Sequence, residues 1–318
     1  MDYTKHSIGN PALLLLFFVG FLYLCIWSSS FTSSFNVFRK ESLSTLSNTT
    51  DIYVPQDDLE QALSKASMAN KTVIITMINK AYADQDIRAD TTMLDLFLES
   101  FWLGEDTRSL LDNLLIVAVD QTAYDRCLFL RLNCYRLETD GVDFGGEKVY
   151  MSEDFIKMMW RRTQFLIEVL KRGYSFIFTD TDVMWLRNPL ARLSKNETDD
   201  LQISTDEFLG LKEQDVLLNL IQGGISRELN LSVRFLDTLY FSGFCQDSKD
   251  LRAVTTVHAN CCRSITAKVN DLKAVLRDWK RFKKYTSYKR LANVTASLGW
   301  TGHFGCWKSW SVATKNIG

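Results

Sequence analysis

The sequence predicts an α/β fold, a mostly parallel sheet with helices on both faces, set behind one N-terminal membrane segment. Three observations carry this. Apolar, β-branched runs at Thr72–Ile78, Leu114–Val119 and Ser175–Thr179 alternate with longer helical patterns. A strand–helix–strand order supplies the crossovers that parallel strands require. An almost unbroken apolar stretch from Pro11 to Trp27 stands apart from the rest of the chain.

The N-terminal elements come first. At about 1.5 Å per residue the apolar stretch covers about 25 Å, enough for a thin early-secretory membrane. Bulky Phe31, Phe35, Val37 and Phe38 follow it, so no small-residue cleavage site is offered. Residues 12–28 therefore read as a transmembrane signal anchor and residues 1–11 as a cytoplasmic tail. Residues 29–55, rich in Ser and Thr without apolar period, read as a stem. The body is placed in the lumen by other features. Asn48, Asn70, Asn196, Asn230 and Asn293 each begin an N-x-[ST] sequon. Six of the seven cysteines lie beyond the span, an even set that suits disulfides in an oxidising compartment. Cys127 and Cys134 are spaced to close a short loop; one of the adjacent Cys261 and Cys262 is a partner for Cys245. No CxxC pair is present to hold zinc.

In the body, a short helix over Asp58–Met68 precedes the first strand, and a helix over Met93–Trp102 precedes the second. A further helix reaches Leu130, and Cys134–Leu137 can add a strand. Ser152 is an N-cap for a long helix over Glu153–Leu170, with Glu153 and Asp154 in its first turn and Lys171-Arg172-Gly173 at its end. The formal net charge of −1 leaves no basic field for nucleic acid. Neither G-x-G-x-x-G, Walker A nor H-E-x-x-H occurs, which removes dinucleotide, P-loop and zincin readings.

The strand Ser175–Thr179 runs directly into Asp180-Thr181-Asp182. Two carboxylates one residue apart at the end of a buried strand are costly unless paired. Mn²⁺ or Mg²⁺ gives both a role, because such ions bridge protein carboxylates to phosphate oxygens. A Ca²⁺-binding EF-hand fails here: Trp185 stands where its Gly is needed and Ala191 where its Glu is needed.

Phe178-Thr179-Asp180-Thr181-Asp182-Val183-Met184-Trp185-Leu186-Arg187-Asn188-Pro189 resembles the core motif of the plant nucleotide-diphospho-sugar transferases of glycosyltransferase family 77. Leu94–Phe101, Gly141–Phe144, Lys157–Arg162, Arg234–Thr238 and His258–Cys262 extend the resemblance over about residues 55–285. It implies a GT-A-like fold, a Rossmann-type sheet, in a transferase domain at 56–285, followed by a Trp-rich tail at 286–318. It also implies a type II Golgi membrane protein, Mn²⁺ (or Mg²⁺), a UDP-sugar donor, and transfer with retention to a cell-wall polysaccharide or glycoprotein acceptor. Asp180, Asp182 and His258 are then the metal ligands, with His303 a weaker rival to His258. Thr76 and Asn79 end the first strand, where a nucleotide would rest; ordinary turn chemistry is the alternative. Lys157 and Arg161, four apart on one helix face, are in reach of a diphosphate or else form a solvated face. Asp215 matches an Asp that faces sugar or acceptor in the family, against a helix cap. One departure stands out: the family's interval between Asp182 and Asp215 is longer and includes a strand and a helix, so the acceptor side is shortened. Two readings remain, an active transferase and a shortened member that binds nucleotide or partners without turnover.

Overall fold

The computed structural model describes residues 57–84, 90–139, 141–148, 152–194, 200–204, 223–289 and 298–313. The tail, anchor and stem assigned to 1–55, together with Asp215 and the sequons at Asn48, Asn196 and Asn293, lie outside the described residues. The chain divides into two units, Met1–Tyr53 and Val54–Gly318. Among the described residues no helix is long and apolar enough to cross a membrane.

Chain order in the second unit begins with α1 (Asp58–Ala66), β1 (Thr72–Ile78), the short α2 (Lys80–Ala83), α3 (Met93–Leu103) and β2 (Leu114–Ala118). It continues with α4 (Gln121–Phe129), β3 (Asn133–Arg136), α5 (Glu153–Lys171) and β4 (Ser175–Phe178). These four strands form one parallel sheet in the order β3-β2-β1-β4. The predicted strands and helices are all present, with ends shifted by a few residues. Ser152 caps α5 by accepting a hydrogen bond from Phe155 N. α3 begins in a reciprocal capping box between Thr92 and Asp95.

Strand alternation separates two apolar layers. Ile74, Ile78, Ile116 and Ala118 face one side, packed against α3 and later elements; Val73, Ile75, Leu115 and Val117 face the other, against Phe165 and Val169 of α5 and Leu63 of α1. Both faces are covered, which is why β1 and β2 read as continuous apolar runs.

Beyond β4 the chain builds β5 (Val183–Trp185), β6 (Leu201–Ser204), α6 (Ile225–Glu228), β7 (Val233–Leu236), β8 (Phe241–Gly243), β9 (Thr256–His258), α7 (Ile265–Lys289) and α8 (Phe304–Ala313). β5, β9 and β8 make a second sheet, and β6 pairs with β7. Residues 298–313, set apart by the sequence as a tail, join the body: Cys306 is buried and bonded to Cys262, and Trp300 donates to the Ser248 carbonyl at 2.9 Å. The other disulfides are Cys127–Cys134 and Cys245–Cys261, so the expected short loop and a Cys245 pairing both form. Asn70 and Asn230 are exposed.

Candidate metal centre

The turn from β4 to β5 is held from several sides. Thr179 N donates to the Ile75 carbonyl at 3.0 Å, extending the β1–β4 ladder by one residue. The hydroxyls of Thr76 and Thr181 meet at 3.1 Å in the buried interior, tying the middle of Asp-Thr-Asp to β1. Trp185 then enters the core, stacking on Phe101 with ring centroids 4.8 Å apart and donating its indole N–H to Thr179 Oγ1 at 3.3 Å. The remainder of the motif is also structural. Arg187 donates to the carbonyls of Leu251 and Val254 and to Glu105, and Asn188 caps the turn at Pro189.

β5 and β9 run antiparallel with Val183 opposite His258, and Ala259 N donates to the Asp182 carbonyl at 3.0 Å. This register brings a residue 76 positions downstream beside the acidic pair. One ligand atom from each of Asp180, Asp182 and His258 falls within a 4.8 Å span. Two carboxylate oxygens and an imidazole nitrogen suit Mn²⁺ or Mg²⁺, with Mn²⁺ the better match to the nitrogen. The residues therefore fit the ion that the sequence implies.

The two carboxylates differ in their surroundings. Asp182 is 3% exposed, with Lys268 Nζ at 2.5 Å from one oxygen and His258 Nε2 at 3.5 Å from the other. Burial opposes its charge, but Lys268 and His258 outweigh this and hold its carboxyl well below the ordinary range. Burial likewise opposes the Lys268 ammonium, and Asp182 more than restores it, raising its pKa. Asp180 is about half exposed and pairs with Arg162 at 3.3 Å, whose guanidinium also lies over the Phe178 ring. The phenol of Tyr82 lies close enough to feel these charges; burial first, then Asp182 and Asp180, push it up to about 12.

A model of the nucleotide-diphospho-sugar transferase family matches residues 109–212 and 208–272, just over half of the chain. This chain belongs to the nucleotide-diphospho-sugar transferase family. Its two matched stretches meet at 208–212, within the interval where the sequence departs from the family pattern. An uncharacterized Arabidopsis thaliana protein is 49% identical over 98% of each chain. That comparison runs over 348 aligned positions against 318 residues here, so at least 30 positions of the relative have no counterpart in this chain. A second uncharacterized Arabidopsis thaliana protein is 35% identical, covering 83% of this chain and 78% of its own. The Arabidopsis thaliana beta-arabinofuranosyltransferase RAY1 is 23% identical over 48% of this chain and 26% of its own length. No solved structure matches.

The remaining expected residues divide. Thr76 holds the turn through Thr181. Asn79 donates its amide to the carbonyls of Phe144 and Gly146, ordering the loop after β3, while its buried Oδ1 has no partner. Lys157 is exposed and pairs with Glu153 at 2.6 Å, and Arg161 donates to the Glu138 carbonyl at 2.8 Å; neither meets the acidic pair. His303 is buried against Asp247 and stacked on Phe244, apart from the metal group. Two cations at the centre, Arg162 and Lys268, are not singled out by the sequence reading. The phase of α5 gives only a shared signal for the first: Arg162 stands three before buried Phe165 and Arg161 four before it, so both lie towards the inward face. Lys268 gives none, being one charge among many in α7.

Proposed function

We propose that this transferase moves a sugar, a pentose, from a UDP-sugar to a cell-wall glycan or glycoprotein acceptor with retention at the anomeric carbon, using Mn²⁺ or Mg²⁺ bound by Asp180, Asp182 and His258. One observation carries the reading: the three ligand atoms converge at the carboxyl end of β4, where ligands bind in open parallel sheets. An ion held there would neutralise charge on the departing diphosphate. The chain's own contribution is positional. Thr76 and Thr181 fix the turn, His258 is delivered by the β5–β9 register, and Arg162 supplies a cation for diphosphate oxygens. In a retaining front-face transfer the leaving diphosphate accepts the proton of the attacking hydroxyl, so no separate protein nucleophile is required. A pentose donor is favoured by the similarity to an arabinofuranosyltransferase.

Location in the Golgi lumen, behind a type II anchor at 12–28, forms part of the same reading. Three disulfides and the exposed sequons at Asn70 and Asn230 support it.

The test is release of UDP from UDP-arabinofuranose and UDP-xylose by the purified full chain with Mn²⁺, compared with the Asp180→Ala, Asp182→Ala double variant. Turnover well above the double variant is expected, and equality would remove the enzymatic reading. The shortened interval favours one alternative, a family member that binds the nucleotide without transfer. Mn²⁺-dependent UDP binding with no turnover would select it.

A further inference from the structure

Lys268 occupies the position of a competitor for the metal. Its Nζ is 2.5 Å from Asp182 Oδ2, while Oδ1 of the same carboxylate faces His258. Both oxygens of the buried ligand are thus engaged within the chain. The ammonium is delivered by the first turn of α7, not by a loop. Ser264 Oγ accepts from Ala267 N, Glu147 accepts from Ile265 N, and Lys268 N donates to the Ser264 carbonyl. Arg162 competes less, since it meets the half-exposed Asp180 at 3.3 Å, where solvent screens the pair.

An ion at metal–oxygen distance, about 2.1 Å, and an ammonium on the same buried carboxylate repel one another. When one enters, the other needs a different anion. A nucleoside diphosphate bound together with the ion would provide such an anion.

We propose that Lys268 is an internal countercation that couples metal and donor binding: it neutralises Asp182 in the metal-free site and transfers to the diphosphate in the complex. This rests on the donor-site reading above. Metal alone then binds weakly, nucleotide and metal bind together, and each raises the affinity of the other by the same factor.

The test uses the full chain and calorimetric titration with Mn²⁺ alone, UDP alone and Mn²⁺ at saturating UDP, for wild type, Lys268→Met and Lys268→Gln. In the neutral variants Mn²⁺ alone binds about tenfold tighter and UDP with Mn²⁺ about tenfold weaker, with UDP alone unchanged, so the coupling factor falls about tenfold. A purely structural lysine would weaken both. Mn²⁺ affinity that is unchanged or weaker in a folded neutral variant overturns the proposal. Amine-reactive labelling of wild-type Lys268, read by mass spectrometry, needs no variant. Labelling rises with Mn²⁺ alone and falls again when UDP is added; no response to Mn²⁺ overturns the proposal. Wild type that binds neither Mn²⁺ nor UDP removes the donor-site reading itself, whereas wild type that binds both beside variants that behave identically removes only the role of Lys268.

Discussion

Asp180 and Asp182 are equivalent as letters in a motif, but their substitution is expected to have unequal consequences. Asp182→Ala strands the Lys268 ammonium, only 17% exposed, without its partner at 2.5 Å. Breaking a buried pair from one side costs about 3–5 kcal/mol, because the remaining charge is left uncompensated. For a body of this size that corresponds to a fall in melting temperature of about 10 °C. Asp180→Ala breaks a 3.3 Å pair whose carboxylate is 46% exposed, and its cost stays within about 1 kcal/mol. Both variants lose Mn²⁺-dependent UDP binding. The assay is scanning calorimetry of the metal-free full chain, paired with UDP titration in Mn²⁺. A double change, Asp182→Ala with Lys268→Met, removes both charges and recovers most of the lost stability. Equal melting temperatures for the two single variants would refute the reasoning, and so would a double variant less stable than Asp182→Ala.

Other contacts carry expectations of the same kind. Arg162→Ala weakens UDP binding in Mn²⁺ by about tenfold, as loss of one charge-assisted hydrogen bond does, whereas Lys157→Ala leaves it unchanged; titration calorimetry distinguishes them. Replacing Cys262 and Cys306 by Ser opens a link across 44 positions and lowers stability by about 4 kcal/mol in the chain-entropy view, read from urea unfolding. Asp95 accepts hydrogen bonds from Thr92 N and Arg126; these outweigh its burial and lower its carboxyl pKa. A lowered folded value means that its contribution is present above the unfolded value and lost as pH falls through the folded one. Asp95→Asn therefore costs about 1 kcal/mol near neutral pH, and the difference from wild type in urea midpoint shrinks below about pH 4.

Legibility in the sequence depends on the length and burial of each element. β1 and β2 are buried on both faces, so their apolar runs announce them, and the cap at Ser152 fixes the start of α5. Strands of three or four residues carry too little pattern to show a period; β3 and β4 are placed by their turn in the strand–helix alternation, which β5 to β9 lack. His258 is reached by resemblance alone, because the Val183–His258 register that delivers it is a tertiary fact. Arg161 and Arg162 are neighbours in sequence but point about 100° apart around α5. Phe165 stands one turn beyond both, so helix phase does not decide between them; their contacts do, the Glu138 carbonyl for Arg161 and Asp180 for Arg162.

The shorter Asp182–Asp215 interval that the family resemblance implies is expected to bear on transfer more than on binding. Thr76, Asp180, Asp182, Arg162 and Lys268 stand on β1, the turn after β4, α5 and α7, all outside the matched stretches' meeting point at 208–212. Among the described residues β4 pairs only with β1, and Phe176, Ile177 and Phe178 are half-buried where β1 and β2 are buried. An edge of this kind, beside the metal centre, is where additional structure would both cover apolar surface and bound the acceptor side. Replacing the Asp182–Asp215 interval by that of the 49% identical relative is expected to raise melting temperature and transfer to acceptor. Mn²⁺-dependent UDP affinity should stay at the wild-type value. Calorimetry and UDP-release assays on the chimera measure all three. If UDP affinity rose together with transfer, the donor half would have been incomplete as well, and the division between an intact donor site and a shortened acceptor side would fail.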